Sequence, residues 1–298
     1  MSCLIINLGN YRKAGKLLTK LLKRLRMKLG EIHRNTLDTM DNLATNYDRR
    51  GKNSKAQVLF KHCFDLKSLV LGESHSSTCR TMNNLAATYR NQAQYSKAEN
   101  LLKVCLSKQN IALGYYHPDT LNTMHNLAIA YDRQGHYIDA EGLFKKCLYK
   151  MSEGSHPSIQ CMNGLANMYA HQKKYNDAED MFKQCLNKQM VVCGESHPDT
   201  LATMNSLACT YDLQGKHSDA EILFKQCFPK MKVVLGENHP STLTIMNSLA
   251  ATYDHNGQYY EAKVLYKQLL AQQNITLGKK HPNTLGTVIK LAKTVTKI

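Results

Sequence analysis

Between residues 197 and 236 the apolar residues recur at steps of three and four. Leu201, Met204, Leu207, Ala208 and Tyr211 make one stripe, the pattern of a helix with one buried face. His197-Pro198-Asp199-Thr200 opens it. Proline is tolerated in a first helical turn, where its missing N–H would be unpaired anyway. Asp and Thr suit the positive pole at that end. The stripe predicts a helix to about Gln214, and Gly215 then breaks it. A second stripe, Ala220, Leu223, Phe224, Cys227 and Val234, predicts a helix from about Ser218 to Gly236. So short a turn lays the two helices side by side, antiparallel. Pro229 falls inside the second helix, where it removes one backbone hydrogen bond. It predicts either a kink or an interruption at Phe228.

The same pattern returns along the whole chain. His stands at 33, 75, 117, 156, 197, 239 and 281, and Leu-Ala begins at Leu43, Leu85, Leu127, Leu165, Leu207, Leu249 and Leu291. The step from His33 to His75 is 42 residues, and one four-residue deletion falls between Ala140 and Leu165. A fixed period in this range marks a solenoid whose units bury their apolar faces on one another. The fold expected is all-α: a right-handed α-solenoid of antiparallel helix pairs forming one domain over 1–298. Six complete repeats span 33–74, 75–116, 117–155, 156–196, 197–238 and 239–280. Residues 1–29 read as a partial repeat holding only a second helix, because Gly9 and Ala14 are in register. Residues 281–298 read as a last first helix, with Lys290, Lys293 and Lys297 solvating its outer face as a cap.

Two details of the period concern turns. Gly51, Gly135, Gly215 and Gly257 sit between paired helices, where a left-handed residue is needed. Ala93 and Lys173 replace them in two repeats, so those turns should be less relaxed. Second helices close at Gly72, Gly114, Gly154, Gly194, Gly236 and Gly278.

The ten cysteines do not change this picture. Cys63, Cys105, Cys147, Cys185 and Cys227 form one column of equivalent positions. Neighbours in a column should lie roughly 10 Å apart, one helix-packing distance, beyond the ~7 Å Cα limit of a disulfide. Unpaired cysteines serve as small buried hydrophobes and imply a reducing, cytoplasmic setting. No CxxC spacing points to zinc. The recurring histidines each belong to a separate inter-repeat loop, too far apart to share a metal, and read as helix-start residues. No metal and no cofactor is expected. No apolar run is long enough to span a membrane, and no catalytic arrangement or phosphate loop stands out, so an enzyme is not expected.

Within each repeat the residues Leu-Ala, then Tyr, Gly, Tyr, Ala and Phe recur; in the third they are Leu127, Ala128, Tyr131, Gly135, Tyr137, Ala140 and Phe144. This resembles the tetratricopeptide repeat (TPR). The 42-residue period with its Leu-Gly-x-x-His-Pro and Asn-Asn-Leu-Ala phrases is similar to the kinesin light chain type. The resemblance covers essentially the whole chain, although residues 10–29 show no heptad coiled coil of the kind those light chains carry. It implies a TPR superhelix with first helices lining a concave groove, cargo or adaptor binding, and kinesin heavy chain or a microtubule-associated complex as partner.

Asparagine is a poor helix former, yet it recurs in mid-helix beside Leu-Ala. Asn42, Asn84 and Asn126 stand one residue before the Leu; Asn83, Asn163, Asn205 and Asn247 stand two before it. An amide offers donors and an acceptor, which suits the backbone of an extended peptide. Bonding between neighbouring repeats is the alternative role. Arg80 and Asn122 lie four residues before Asn84 and Asn126, and Arg49 and Arg133 near the ends of their helices. Asn and Arg concentrate in repeats one to three, so ligand binding is expected there. The net charge of +16 makes an acidic peptide the better ligand. A Lys column at Lys61, Lys103, Lys145, Lys183, Lys225 and Lys267, with a second at Lys108, Lys150, Lys188 and Lys230, reads as a solvated convex face. A basic ridge for nucleic acid is less expected, because no aromatic residues interleave. A regulatory arm of a larger signalling protein is a further reading.

Overall fold

The Gly-x-x-His-x-x-Thr phrase is a closed turn that starts each first helix. In a computed structural model describing residues 11–150 and 156–298, His33, His75, His117, His197, His239 and His281 each occupy the N-cap. Each imidazole Nδ1 accepts the backbone N–H two residues on, at 3.1 to 3.2 Å. This satisfies one of the donors that a helix start leaves open. The Thr hydroxyl three residues later donates back to the Gly carbonyl: Thr78 to Gly72 at 2.9 Å, Thr242 to Gly236 at 2.8 Å. Gly9 and Gly154 lie outside the described residues.

Fourteen helices alternate among the described residues, with no strand. They are α1 (Tyr11–Leu29), α2 (Arg34–Arg49), α3 (Asn53–Leu71), α4 (Ser76–Asn91), α5 (Tyr95–Ala112), α6 (Pro118–Gln134), α7 (Tyr137–Lys150), α8 (His156–His171), α9 (Tyr175–Val192), α10 (Pro198–Leu213), α11 (His217–Leu235), α12 (Pro240–His255), α13 (Tyr259–Thr276) and α14 (Pro282–Val295). The chain is an all-α repeat solenoid: contacts run from helix to helix over α1–α7 in one stretch and α9–α14 in another, and more weakly between the first-helix pairs α2–α4, α4–α6 and α10–α12. It divides into two compact units, residues 11–164 and 165–298. No described helix is long and apolar enough to cross a membrane.

Each unit packs the predicted stripes. In the N-terminal unit Leu85, Ala86, Tyr89 and Leu127 of the first helices meet Ala56, Phe60, Ala98 and Leu102 of the second. In the C-terminal unit Leu201, Met204, Leu207, Phe224, Cys227 and Met231 form the larger core. Phe60, Phe144, Phe182 and Phe224 are fully buried, each stabilising by roughly 1.5–3 kcal/mol. The nine described cysteines are free. Burial pushes the thiols of Cys63, Cys185 and Cys227 up to about 12, so they stay neutral and pack as apolar groups.

The less regular positions resolve as follows. Ala93 and Lys173 adopt φ of 56° and 61°, the conformation that Gly135 adopts at 80°. The strained turn keeps its geometry without glycine. Helix α11 runs unbroken from His217 through Pro229 to Leu235, so the expected interruption at Phe228 does not occur. Pro229 is on the exposed side, where water can serve the carbonyl it leaves unbonded. On α14, exposed Leu285, Val288, Ile289 and Val295 stand among the lysines; the outer face is apolar as well as basic.

Candidate functional site

Helices α2, α4 and α6 lay their apolar stripes into the N-terminal unit, and the residues off those stripes share one face. Asn42, Arg49, Arg80, Asn122 and Arg133 are exposed there, and Asn84 and Asn126 half-buried. Successive first helices are stitched together by residues one period apart. Arg80 Nη2 lies 3.3 Å from Asp38 Oδ1, and Asn91 Nδ2 donates to Asp48 Oδ2 at 2.9 Å. Asn126 Nδ2 donates to Asn83 Oδ1 at 2.8 Å.

Asn83 takes the role of an internal strut. It is 7% exposed, and its amide donates to Thr123 Oγ1 at 2.8 Å and to the Cys79 carbonyl at 3.1 Å. One helical position, about 100° of rotation, separates it from the accessible Asn84. The same rotation half-buries Asn163, Asn205 and Asn247. Asn247 Oδ1 accepts from Lys290 Nζ at 3.1 Å. Among the asparagines beside Leu-Ala, Asn42 is exposed, Asn83 is buried and the rest are half-buried.

Arg90 is a member of this face that the sequence pattern did not single out. It stands where other repeats carry Asp48, Asp132, Asp212 and Asp254, so a cation replaces the usual carboxylate. Its Nη1 is buried without a hydrogen-bond partner. Burial, and then the neighbouring Arg133, lower its pKa, with Asp48 opposing. Burial and Arg90 also hold His125 down at about 4, so His125 is neutral at pH 7. The face thus carries several guanidinium groups and one unmet donor, an arrangement that favours carboxylates.

Beneath it runs a polar seam that the sequence reading missed. Lys67, with no exposed surface, is paired to Asp41, 5% exposed. Lys67 Nζ also donates to Thr81 Oγ1 at 3.1 Å. The signal was present in the column holding Lys67. Lys67, Gln109, Gln189 and Gln273 are followed, one helix on, by Thr81, Thr123, Thr203 and Thr287; Met231 is followed by Ile245. Polar residues thus stand opposite polar ones in the column and Met opposite Ile, although the buried Oε1 atoms of Gln109, Gln189 and Gln273 have no hydrogen-bond partner.

The lysine column is largely neutralised. Lys103, Lys183 and Lys225 pair with Glu99, Glu179 and Glu221 four residues earlier, at 2.6 to 2.7 Å. Each also lies over a tyrosine of the following first helix, Tyr131, Tyr211 or Tyr253, at 5.5 to 5.9 Å. Lys108 and Lys230 pair with Glu73 and Glu195. Aromatic residues do interleave at one place, correcting the expectation of none. Exposed Tyr115, Tyr116 and Tyr149 border a shallow pocket with Lys145 and Lys146.

Helix hairpins of fixed period with a polar face on their first helices define a repeat protein of the interaction-scaffold class. The tetratricopeptide repeat family profile matches residues 3–68, 78–148, 158–232 and 242–283, and the chain belongs to that family. Its repeats are similar to those of kinesin-light-chain-like proteins. A kinesin-light-chain-like protein of Podosopora anserina, with nearly identical TPR-like repeats, is 28% identical over 68% of this chain and 97% of its own, with a TM-score of 0.54. A tetratricopeptide repeat protein of Parabacteroides merdae, 16% identical, covers 99% of this chain and 96% of its own at a TM-score of 0.62. The quorum sensor NprR of B. thuringiensis in its apo form, 16% identical, covers 97% and 80% at 0.60. These last two share the fold. A comparison with curated protein sequences gives no significant match.

Proposed function

We propose that the chain is a non-enzymatic scaffold that binds an extended acidic peptide along the first-helix face of its N-terminal unit. The observation that carries this reading is Arg90, whose buried Nη1 has no partner and which feels the charge of Arg133, on the face that also holds Arg49 and Arg80. A ligand carboxylate reaching it would form a charge-assisted hydrogen bond, worth about 1.5–3 kcal/mol. Asn42, Asn84 and Asn122 offer amides to the peptide backbone beside it. The likeness to kinesin-light-chain-type repeats supports a cargo or adaptor role, with kinesin heavy chain or a microtubule-associated complex as the partner. Binding through a basic ridge of second helices is disfavoured by the ion pairs that engage its lysines.

The test compares the intact chain with Asn42→Ala/Asn84→Ala/Asn122→Ala and with Arg90→Gln, using fluorescent acidic peptides. These positions avoid Asn83 and Asn126, whose mutual bond holds α4 to α6. Both variants should bind at least about tenfold more weakly at unchanged helicity, and wild-type affinity should fall with added salt. Unchanged affinity in both variants rejects this face as the binding surface.

A further inference from the structure

In the C-terminal unit, Asp212 at the end of α10 is held between two imidazoles. His217, at the start of α11, places Nδ1 2.8 Å from Asp212 Oδ1. His255, at the end of α12, places Nδ1 2.9 Å from Asp212 Oδ2. The two rings lie 5.3 Å apart at 46°, and one ligand atom from each of the three residues falls within 4.8 Å of the others.

The repeat supplies its own controls for this corner. Where His217 stands, other repeats carry Tyr95, Tyr137, Tyr175 and Tyr259. Where His255 stands, they carry Arg49, Asn91, Arg133, His171, Leu213 and Lys297; Asn91 and Lys297 bond Asp48 and Asp254 as His255 bonds Asp212. The fold therefore makes this corner without a histidine at either place. His217 departs from its column, and it meets His255, 38 residues further along the chain, at one carboxylate. Packing does not require that convergence, and a shared ligand would explain it. The histidines that cap the first helices are separate, their Nδ1 atoms being occupied by backbone N–H groups.

We propose that Asp212, His217 and His255 form a site for a divalent transition-metal ion of the zinc class. Two imidazoles and a carboxylate match the nitrogen and oxygen donors such ions prefer; magnesium and calcium favour oxygen alone. Zinc held at about 2.0–2.2 Å by each ligand separates tetrahedral donor atoms by about 3.4 Å. The two Asp–His separations, 2.8 and 2.9 Å, need widening by about half an ångström to reach that spacing, and all three donor atoms, already within 4.8 Å of one another, must settle at it. His255 is half exposed, so a fourth position stays open to water or to a partner's side chain. Cys209, one turn before Asp212, is not a ligand: burial raises its thiol pKa, and its Sγ lies 3.6 Å from Ser248 Oγ. A bound ion would clamp the ends of α10 and α12 to the start of α11, joining the fifth repeat to the sixth.

The experiment is calorimetric titration of the full reduced chain with ZnCl2, beside His217→Tyr and His255→Asn. The first variant restores the residue of the other repeats, and the second keeps a hydrogen bond of the Asn91–Asp48 kind, so both should fold. All ten cysteines are retained in each, so any thiol background is common to the three proteins. The expected result is one micromolar site with proton release, weakened more than tenfold in each variant and unaffected by excess magnesium. Co2+ should give a visible tetrahedral spectrum without thiolate charge transfer, lost in both variants. No binding below 100 μM zinc, or equal binding in wild type and variants, overturns the site.

Discussion

Gly164 has no room for a side chain. A Cβ there would lie 2.5 Å from Phe144 Cε1, 2.8 Å from its Cζ and 3.1 Å from His125 Cε1. The equivalent residues elsewhere are Asn42, Asn84, Asn126, Ser206 and Ser248, so the glycine answers a local demand. That demand comes from His125, which replaces the usual Asn or Asp and packs edge-on against Phe144 with centroids 5.6 Å apart. Gly164→Ala should therefore destabilise by about 1–3 kcal/mol through overpacking. Adding His125→Asn should recover part of the loss, as a denaturant double-mutant cycle would measure. His125 also makes stability depend on pH. Its folded pKa, about 4, lies below the roughly 6.5 of an unfolded histidine. The neutral form is thus favoured in the fold, and nothing is lost above pH 6.5. As pH falls from 6.5 toward 4 the unfolded chain takes up a proton that the folded chain refuses, removing up to roughly 3 kcal/mol. Denaturant melts at pH 7 and pH 4.5 should show a smaller acid loss in His125→Asn than in the wild type.

At the scale of the element, helix starts and turns are closely determined by the period, and two substitutions test how closely. Ala93 and Lys173 hold a left-handed conformation at φ 56° and 61°, costing about 1–2 kcal/mol each for a residue with a Cβ. Glycine relieves that strain but loses more entropy on folding. Ala93→Gly with Lys173→Gly should together stabilise by about 1 kcal/mol, read as a higher urea midpoint at constant slope. The seam between α3 and its two first helices is the opposite case. Lys67 and Asp41 are both buried, so Lys67→Gln strands the Asp41 carboxylate and Asp41→Asn leaves Lys67 only the longer contact to Asp38 at 3.8 Å. Either Lys67→Gln or Asp41→Asn should cost on the order of 3 kcal/mol. The pair together should cost less than about 1 kcal/mol, because Asn83 and Gln109 already fill these two places in the next repeat. A cycle in which the single changes add would contradict the pairing.

Across the whole molecule, what could be read from sequence divides along one line. The helices, their starts at His and their turns at Gly follow from spacing that is local in the chain, and a 42-residue period displays each feature several times. The face depends on rotation about a helix axis, where one position decides between groove and seam. Asn83 and Asn84 are adjacent and alike in chemistry, yet one is a strut and the other a surface amide. Lys67 looks like a surface cation until Asp41 and Thr81, from two other helices, are placed around it. Arg90 and His217 stand out only when each is set against its own column, and His255 only when Asp212 is placed beside it. Packing between neighbours alone also determines how stability is distributed along the array. The buried residues of α14 are Thr284, Thr287 and Thr294, and much of its apolar surface, Leu285, Val288 and Ile289 included, is exposed. By contrast, α10 buries Leu201, Met204, Leu207 and Ala208 against α11 and α12. Opening α14 therefore exposes little additional apolar surface; it parts α14 from α13 and breaks the surface bonds of Lys290 and Lys297 to Asn247 and Asp254 of α12. Native-state hydrogen exchange should find the α14 amides opening locally, at least about 100-fold faster than those of α10, a gap near 2.7 kcal/mol. They should also respond weakly to denaturant, since little new surface is exposed. Equal protection in α14 and α10 would instead mean that the C-terminal unit opens as one cooperative block, against the nearest-neighbour packing seen in its helices.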